Sequence, residues 1–125
     1  MRYLVISDVH ANLEALDAVL AAAGSYDHAL VLGDLVGYGA DPNAVIDRVR
    51  AMPATTLIRG NHDKASVGLE DLEWFNPVAR AAALWTQQAL TPENAGWACA
   101  AVASMSSGWM LCPWWTMTSF RRPAK

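Results

Sequence analysis

Asp8 and His10 stand two residues apart, Asp34 follows 26 residues after Asp8, and Asn61 with His62 begins 27 residues after Asp34. A carboxylate and an imidazole two apart at a bend offer one cation a hard oxygen and a borderline nitrogen. Asp34 has two carboxylate oxygens with which to bridge a pair of cations. Asn61 adds a neutral oxygen for the second ion, and His62 beside it can turn toward substrate as an acid or transition-state donor. These residue types in this pattern point to a metal site built for phosphate chemistry.

The intervals of 26 and 27 residues are close to the roughly 30 residues of one strand-helix-strand unit. Each motif follows a short apolar run (Tyr3 to Ile6, Ala29 to Leu32, Thr55 to Ile58), so each sits where a buried parallel strand ends. Ligands of open α/β sheets collect at that edge. Gly33 and Gly37 flank Asp34 and free the backbone to turn sharply beside it.

Local punctuation supplies the helices between. Asn12 reads as the cap of a helix carrying Leu13, Leu16, Val19 and Leu20, with Gly24 just past its end. Asp41-Pro42 opens a second helix with Val45, Ile46 and Val49 on one stripe, closed by Pro53. Asn76-Pro77 starts a third helix running to Leu90, and Thr91-Pro92-Glu93 a fourth. The chain is α/β.

Taken singly the motif residues have ordinary explanations. Asp8 reads as a loop carboxylate, Asp34 as a turn residue and Asn61-His62 as a turn with a solvated imidazole. Their weight is joint, since complementary ligand types recur on successive strand ends. His28 precedes an apolar strand outside this pattern and is read as structural.

Bulk composition narrows the function classes. The 125 residues suit one domain, and the net charge of -3, with nine Lys and Arg, leaves no electrostatic footprint for nucleic acid. Cys99 and Cys112 are the two cysteines, and their spacing indicates neither a disulfide scaffold nor a thiolate metal site. The apolar run after Arg2 is too short for a signal peptide, so a cytoplasmic location is expected.

The chain changes character after Glu93. From Asn94 on there is no Asp or Glu, no charge of either sign precedes Arg121, and four of the six tryptophans lie between Trp97 and Trp115. Ser104, Ser106, Ser107, Gly108 and Pro113 interrupt this stretch, which argues against a membrane span. Residues 1–94 are therefore expected to be the domain proper. Residues 95–125 are expected to be an atypical, poorly ordered tail, such as a shifted reading frame produces.

Asp8-Val9-His10, Gly33-Asp34-Leu35-Val36-Gly37 and Gly60-Asn61-His62-Asp63 resemble the first three signatures of the calcineurin-like metallophosphoesterase family. The surrounding text, Ser7 to Ala15 and Gly33 to Pro42, is similar to its small bacterial branch. The resemblance implies the amino-terminal part of a four-layer α/β/β/α sandwich whose second half is missing or replaced. It implies two divalent ions, Mn foremost with Fe, Zn or Ni as alternatives. Asp8 and His10 would bind the first ion, Asp34 would bridge, and Asn61 would bind the second. A hydroxide held by the ions would attack phosphorus, with Asn61 and His62 contacting substrate and His62 assisting the leaving oxygen. Asp63 either orients His62 or caps the turn.

Family members add histidine ligands downstream, whereas this chain has none after His62. The expected activity is hydrolysis of phosphate mono- or diesters, incomplete in this chain, with a catalytically inactive relic or a phosphate- or metal-binding module as the alternative. A phosphoaspartyl enzyme using Asp8 as nucleophile fits less well, because His10 stands where a second acid belongs. The expected partner is a phosphate ester, not nucleic acid or a membrane.

Overall fold

The computed structural model describes residues 1–100. The apolar runs form β1 (Tyr3–Ile6), β2 (His28–Val31) and β3 (Thr55–Leu57), one parallel sheet in the order β1-β2-β3. Register pairs Ile6 with Val31 and Val31 with Leu57. The three strands thus end level, and all three motif turns leave from one edge.

Among the described residues five helices accompany the sheet: α1 (Leu13–Ala23), α2 (Pro42–Arg50), α3 (Asn61–Ser66), α4 (Pro77–Ala89) and α5 (Pro92–Ala100). Their starts follow the sequence chemistry. Asn12 Oδ1 accepts the Ala15 N–H at 2.9 Å and Asn76 Oδ1 accepts the Ala79 N–H at 2.9 Å, each satisfying a donor that the first helical turn leaves free. Thr91 Oγ1 accepts the Asn94 N–H at 3.2 Å. Asp41 makes no side-chain cap, and α2 instead relies on Pro42 in its first turn. Gly24, at φ 64°, ends α1.

One helix was not anticipated. Asn61, His62 and Asp63 form the first turn of α3 rather than an open turn. A short 3₁₀ turn at Leu72–Trp74 then leads to α4.

The core lies on one face of the sheet. Ile6, Ala29 and Val31 pack there with Leu16 of α1, Val45, Ile46 and Val49 of α2, and Ala95, Ala98 and Cys99 of α5. At 100° per residue Leu13 and Leu20 fall to one side of Leu16 and Val19 to the other. Leu13 and Leu20 accordingly border the core, while Val19 is exposed. On the opposite sheet face Tyr3 and Val5 are 56% and 55% exposed. His28 lies on that face, its Nε2 2.8 Å from Thr56 Oγ1 and its ring edge-on to Tyr3. The described residues therefore supply one sheet and one helical layer of the expected sandwich.

The helix α5 continues from Pro92 through residues 95–100, and the rest of the segment expected to be an atypical tail lies outside the described residues. Cys99 is buried on α5. Among the described residues no helix is long and apolar enough to cross a membrane.

Asn43 holds α2 to the turn between α4 and α5. Its Nδ2 donates to the Ala89 carbonyl at 2.8 Å, and its Oδ1 accepts the Thr91 N–H at 2.9 Å and Asn94 Nδ2 at 3.2 Å. Asn43→Ala strands these groups and should destabilise the fold by about 1–3 kcal/mol. Urea unfolding measures this, and an unchanged midpoint would remove Asn43 from any role in seating α5.

Candidate metal centre

The β1–β2 pairing continues beyond the strands. Asp8 N–H donates to Gly33 O at 3.1 Å, His10 N–H to Asp34 O at 2.9 Å and Ala11 N–H to Leu35 O at 2.7 Å. This ladder holds two loops in an unusual conformation. Five of the six non-glycine residues with positive φ among those described are Asp8, His10, Ala11, Asp34 and Tyr38. Positive φ is costly for such residues and persists where surrounding bonds over-determine it.

The result is a convergence of side chains. Asp8, His10 and Asp34 each bring one ligand atom within 4.8 Å of the others. His10 Nε2 lies 3.7 Å from Asp8 Oδ1, too long for a hydrogen bond and suited to two ligands sharing an ion. His10 Nδ1 is 3.2 Å from Val36 O. A carbonyl only accepts, so Nδ1 carries the proton and Nε2 keeps its lone pair for a cation. Two carboxylates and an oriented imidazole fit a divalent ion.

The third motif closes on the second. Asp34 Oδ1 accepts the His62 N–H at 3.0 Å. A Cβ on Gly60 would stand 1.9 Å from that same oxygen, so α3 approaches Asp34 only because residue 60 has no side chain. Asn61 begins α3 and is exposed beside this contact.

Asp63 grips backbone rather than the His62 ring. Its Oδ1 accepts the Val36 N–H at 3.1 Å and its Oδ2 the Gly60 N–H at 3.0 Å. Of the two expected roles the geometry favours capping, and extends it to the Asp34 loop. Burial raises the Asp63 carboxyl above its ordinary value against the opposing pull of these N–H groups, and the Asp34 charge adds to the rise. Burial likewise lowers the pKa of the nearby Arg59, which the charge of Asp63 opposes. Arg59 Nη1 donates to Cys99 O at 2.8 Å.

His62 is only 9% exposed. Its ring centroid is 4.9 Å from that of His10, 4.8 Å from Tyr38 and 5.2 Å from Phe75. Its Nδ1 is buried without a hydrogen-bond partner. Tyr38 and Phe75 had no assigned role in the sequence. For Tyr38 the signal was available, an aromatic between two glycines immediately after the Asp34 motif. Phe75 arrives from a separate segment with no motif of its own.

A profile of the calcineurin-like phosphoesterases matches residues 1–101. An uncharacterised protein of Methanocaldococcus jannaschii is 42% identical over 92 residues, 72% of this chain and 37% of that protein. The crystal structure of a metallophosphoesterase from Sphaerobacter thermophilus superposes with a TM-score of 0.64 at 48% identity, covering 78% of this chain and 40% of that one. A hypothetical protein of Pyrococcus horikoshii shares the fold at a TM-score of 0.60 and 18% identity, covering 78% of this chain and 46% of its own. The chain thus spans less than half the length of these relatives. With its motifs on the level ends of a parallel sheet and the family profile matched along most of its length, the chain belongs to the calcineurin-like phosphoesterase family.

Proposed function

We propose that this chain carries the metal-binding and proton-donating side of a phosphoesterase that hydrolyses phosphate mono- or diesters. The observation that supports the reading most is the convergence of Asp8, His10 and Asp34 within 4.8 Å. Asp8 and His10 hold a first divalent ion, Asp34 is shared with a second, and Asn61 is the further ligand of that second ion. Mn is the first candidate, with Fe, Zn and Ni as alternatives. Bound divalent ions supply water activation and neutralisation of the charge that develops on phosphate oxygens. His62 donates a proton to the leaving oxygen, and with Asn61 it contacts the substrate. Asp63 fixes the backbone that carries Asn61 and His62.

One observation favours the binding-module alternative for this chain acting alone. Its three histidines are His10, His28 and His62, and the His28 ring is engaged with Thr56 on the far sheet face. Among the described residues, the second ion therefore finds Asp34 and Asn61. Turnover of bis-p-nitrophenyl phosphate in excess Mn²⁺, lost with EDTA and in Asp8→Ala, is the expected result for an enzyme. Mn²⁺ binding without turnover would instead establish the module, and absence of both would overturn the metal site.

Asp34 is the ligand common to both ions. Asp34→Asn keeps its shape but removes the charge, and should weaken Mn²⁺ binding by at least about tenfold, since even supporting changes around a metal cost that much. Calorimetric titration reads this directly; unchanged affinity would end the bridging assignment.

The reverse separation is expected at His62. His62→Ala should lower turnover by roughly 10²–10⁴-fold, the usual contribution of a positioned acid, with a much smaller change in Mn²⁺ affinity. Parallel kinetic and calorimetric titrations distinguish the two effects. Equal losses would make His62 a structural support of the metal site.

A further inference from the structure

Tyr38 occupies a backbone position that its side chain does not favour. Its φ is 63°, it follows Gly37 at φ 88°, and the next residue, Gly39, donates its N–H to His10 O at 3.0 Å. Glycine or asparagine would hold such a left-handed turn with less steric cost. Burial does not compensate, because Tyr38 is 47% exposed.

The loop nevertheless presses this ring against both histidines of the site. The Tyr38 ring stands edge-on to His10 at 5.1 Å and tilted on His62 at 4.8 Å. A Cβ on Gly37 would lie 2.8 Å from His62 Nδ1, so the turn sits flush on that imidazole. Beyond the ring opens a shallow, solvent-open cleft whose lining includes Asp8, His10, Asn12, Glu14, Tyr38 and Asp41. Three of these lining residues are carboxylates, and among the described residues no Lys or Arg lines the cleft. Glu14 and Asp41 are the carboxylates of this lining that are not assigned to a cation.

We propose that Tyr38 is a substrate-contact residue that, on the phosphoesterase reading above, selects phosphate esters whose leaving group is flat and uncharged. The strained turn holds an aromatic wall at the join between the phosphate position and the cleft. A flat group stacks on that wall. An anionic group meets the carboxylates beyond it, which separates such esters from nucleotide polyphosphates and other polyanions.

Non-hydrolysable phosphonates test this by calorimetry on the full chain with Mn²⁺ in excess. Phenylphosphonate should bind roughly threefold to tenfold tighter than methylphosphonate, the range an aromatic pair supplies. Adding a carboxylate, as in 4-carboxyphenylphosphonate, should remove most of that gain. Tyr38→Phe should keep the phenyl-to-methyl ratio, while Tyr38→Asn, which tolerates the left-handed turn, should bring it close to one. Equal binding of phenyl- and methylphosphonate by the unmodified chain would overturn the assignment without any variant, as would a ratio that survives Tyr38→Asn. Full affinity for the carboxylated ligand would overturn the selection against charge. Failure of every phosphonate to bind would bring down the phosphoesterase reading and the Tyr38 assignment with it.

Discussion

Asp8, His10 and Asp34 meet because the pairing of β1 with β2 does not stop where the strands stop. The donors of Asp8, His10 and Ala11 continue onto the carbonyls of Gly33, Asp34 and Leu35, so two loops are zipped in parallel past the sheet edge. Side-chain direction in those loops follows from the backbone bonds. Without the ladder, positive φ at Asp8, His10 and Asp34 would relax toward commoner conformations, and the ligand atoms would separate. The level ends of Ile6, Val31 and Leu57 make the ladder possible, and the core beneath Ala29 and Val31 holds the strands in that register.

A single buried carboxylate extends this arrangement to the third strand. Asp63 spans the N–H groups of Val36 and Gly60, one on the Asp34 loop and one at the start of α3. The carbonyl of Val36 is also the partner of His10 Nδ1. Asp63 therefore acts on His10 through one residue and on Asn61 through another. Burying an acid is costly, as the raised pKa records, and the two N–H groups offset part of that cost. A neutral amide at the same place would offer one acceptor where two donors point inward.

Much of this was legible in the sequence. The strands, the Asn12 and Asn76 caps and the Gly24 stop follow from local pattern, because each depends on a few neighbouring residues, and the Asp8–His10–Asp34 grouping follows from the recurrence of its motifs at successive strand ends. The helical start at Asn61 was harder to see, since its N-terminal bond comes from Asp63 reaching back to the Gly60 N–H and no side chain precedes it to act as a cap. Val19 matches the helical stripe but turns away from the core, because periodicity fixes which residues share a face and not how wide the covered face is. The short apolar runs likewise left open which sheet face is covered. Tyr3 and Val5 are exposed although their run reads as a buried strand. The ring cluster of His10, Tyr38, His62 and Phe75 joins four separate segments, and tertiary folding alone decides such a meeting.

The residues around the site follow two different rules. Asp8, His10, Asp34 and Tyr38 have backbones that glycine or asparagine would hold more cheaply, yet each carries a side chain that reaches the candidate site. At these positions the conformation is tolerated for the sake of the group it delivers. Gly60 is the opposite case: its φ of -83° is ordinary for any residue, and it is glycine because Asp34 Oδ1 fills the space a Cβ would need. Gly37 meets both conditions, with φ 88° and His62 Nδ1 2.8 Å from where its Cβ would be. At those four positions a side chain is thus kept despite the strain, and at Gly37 and Gly60 none is present where space is lacking. A substitution to glycine at Asp8 or Asp34 would relieve the backbone and empty the site, whereas a substitution away from glycine at Gly60 would push α3, and Asn61 with it, off Asp34.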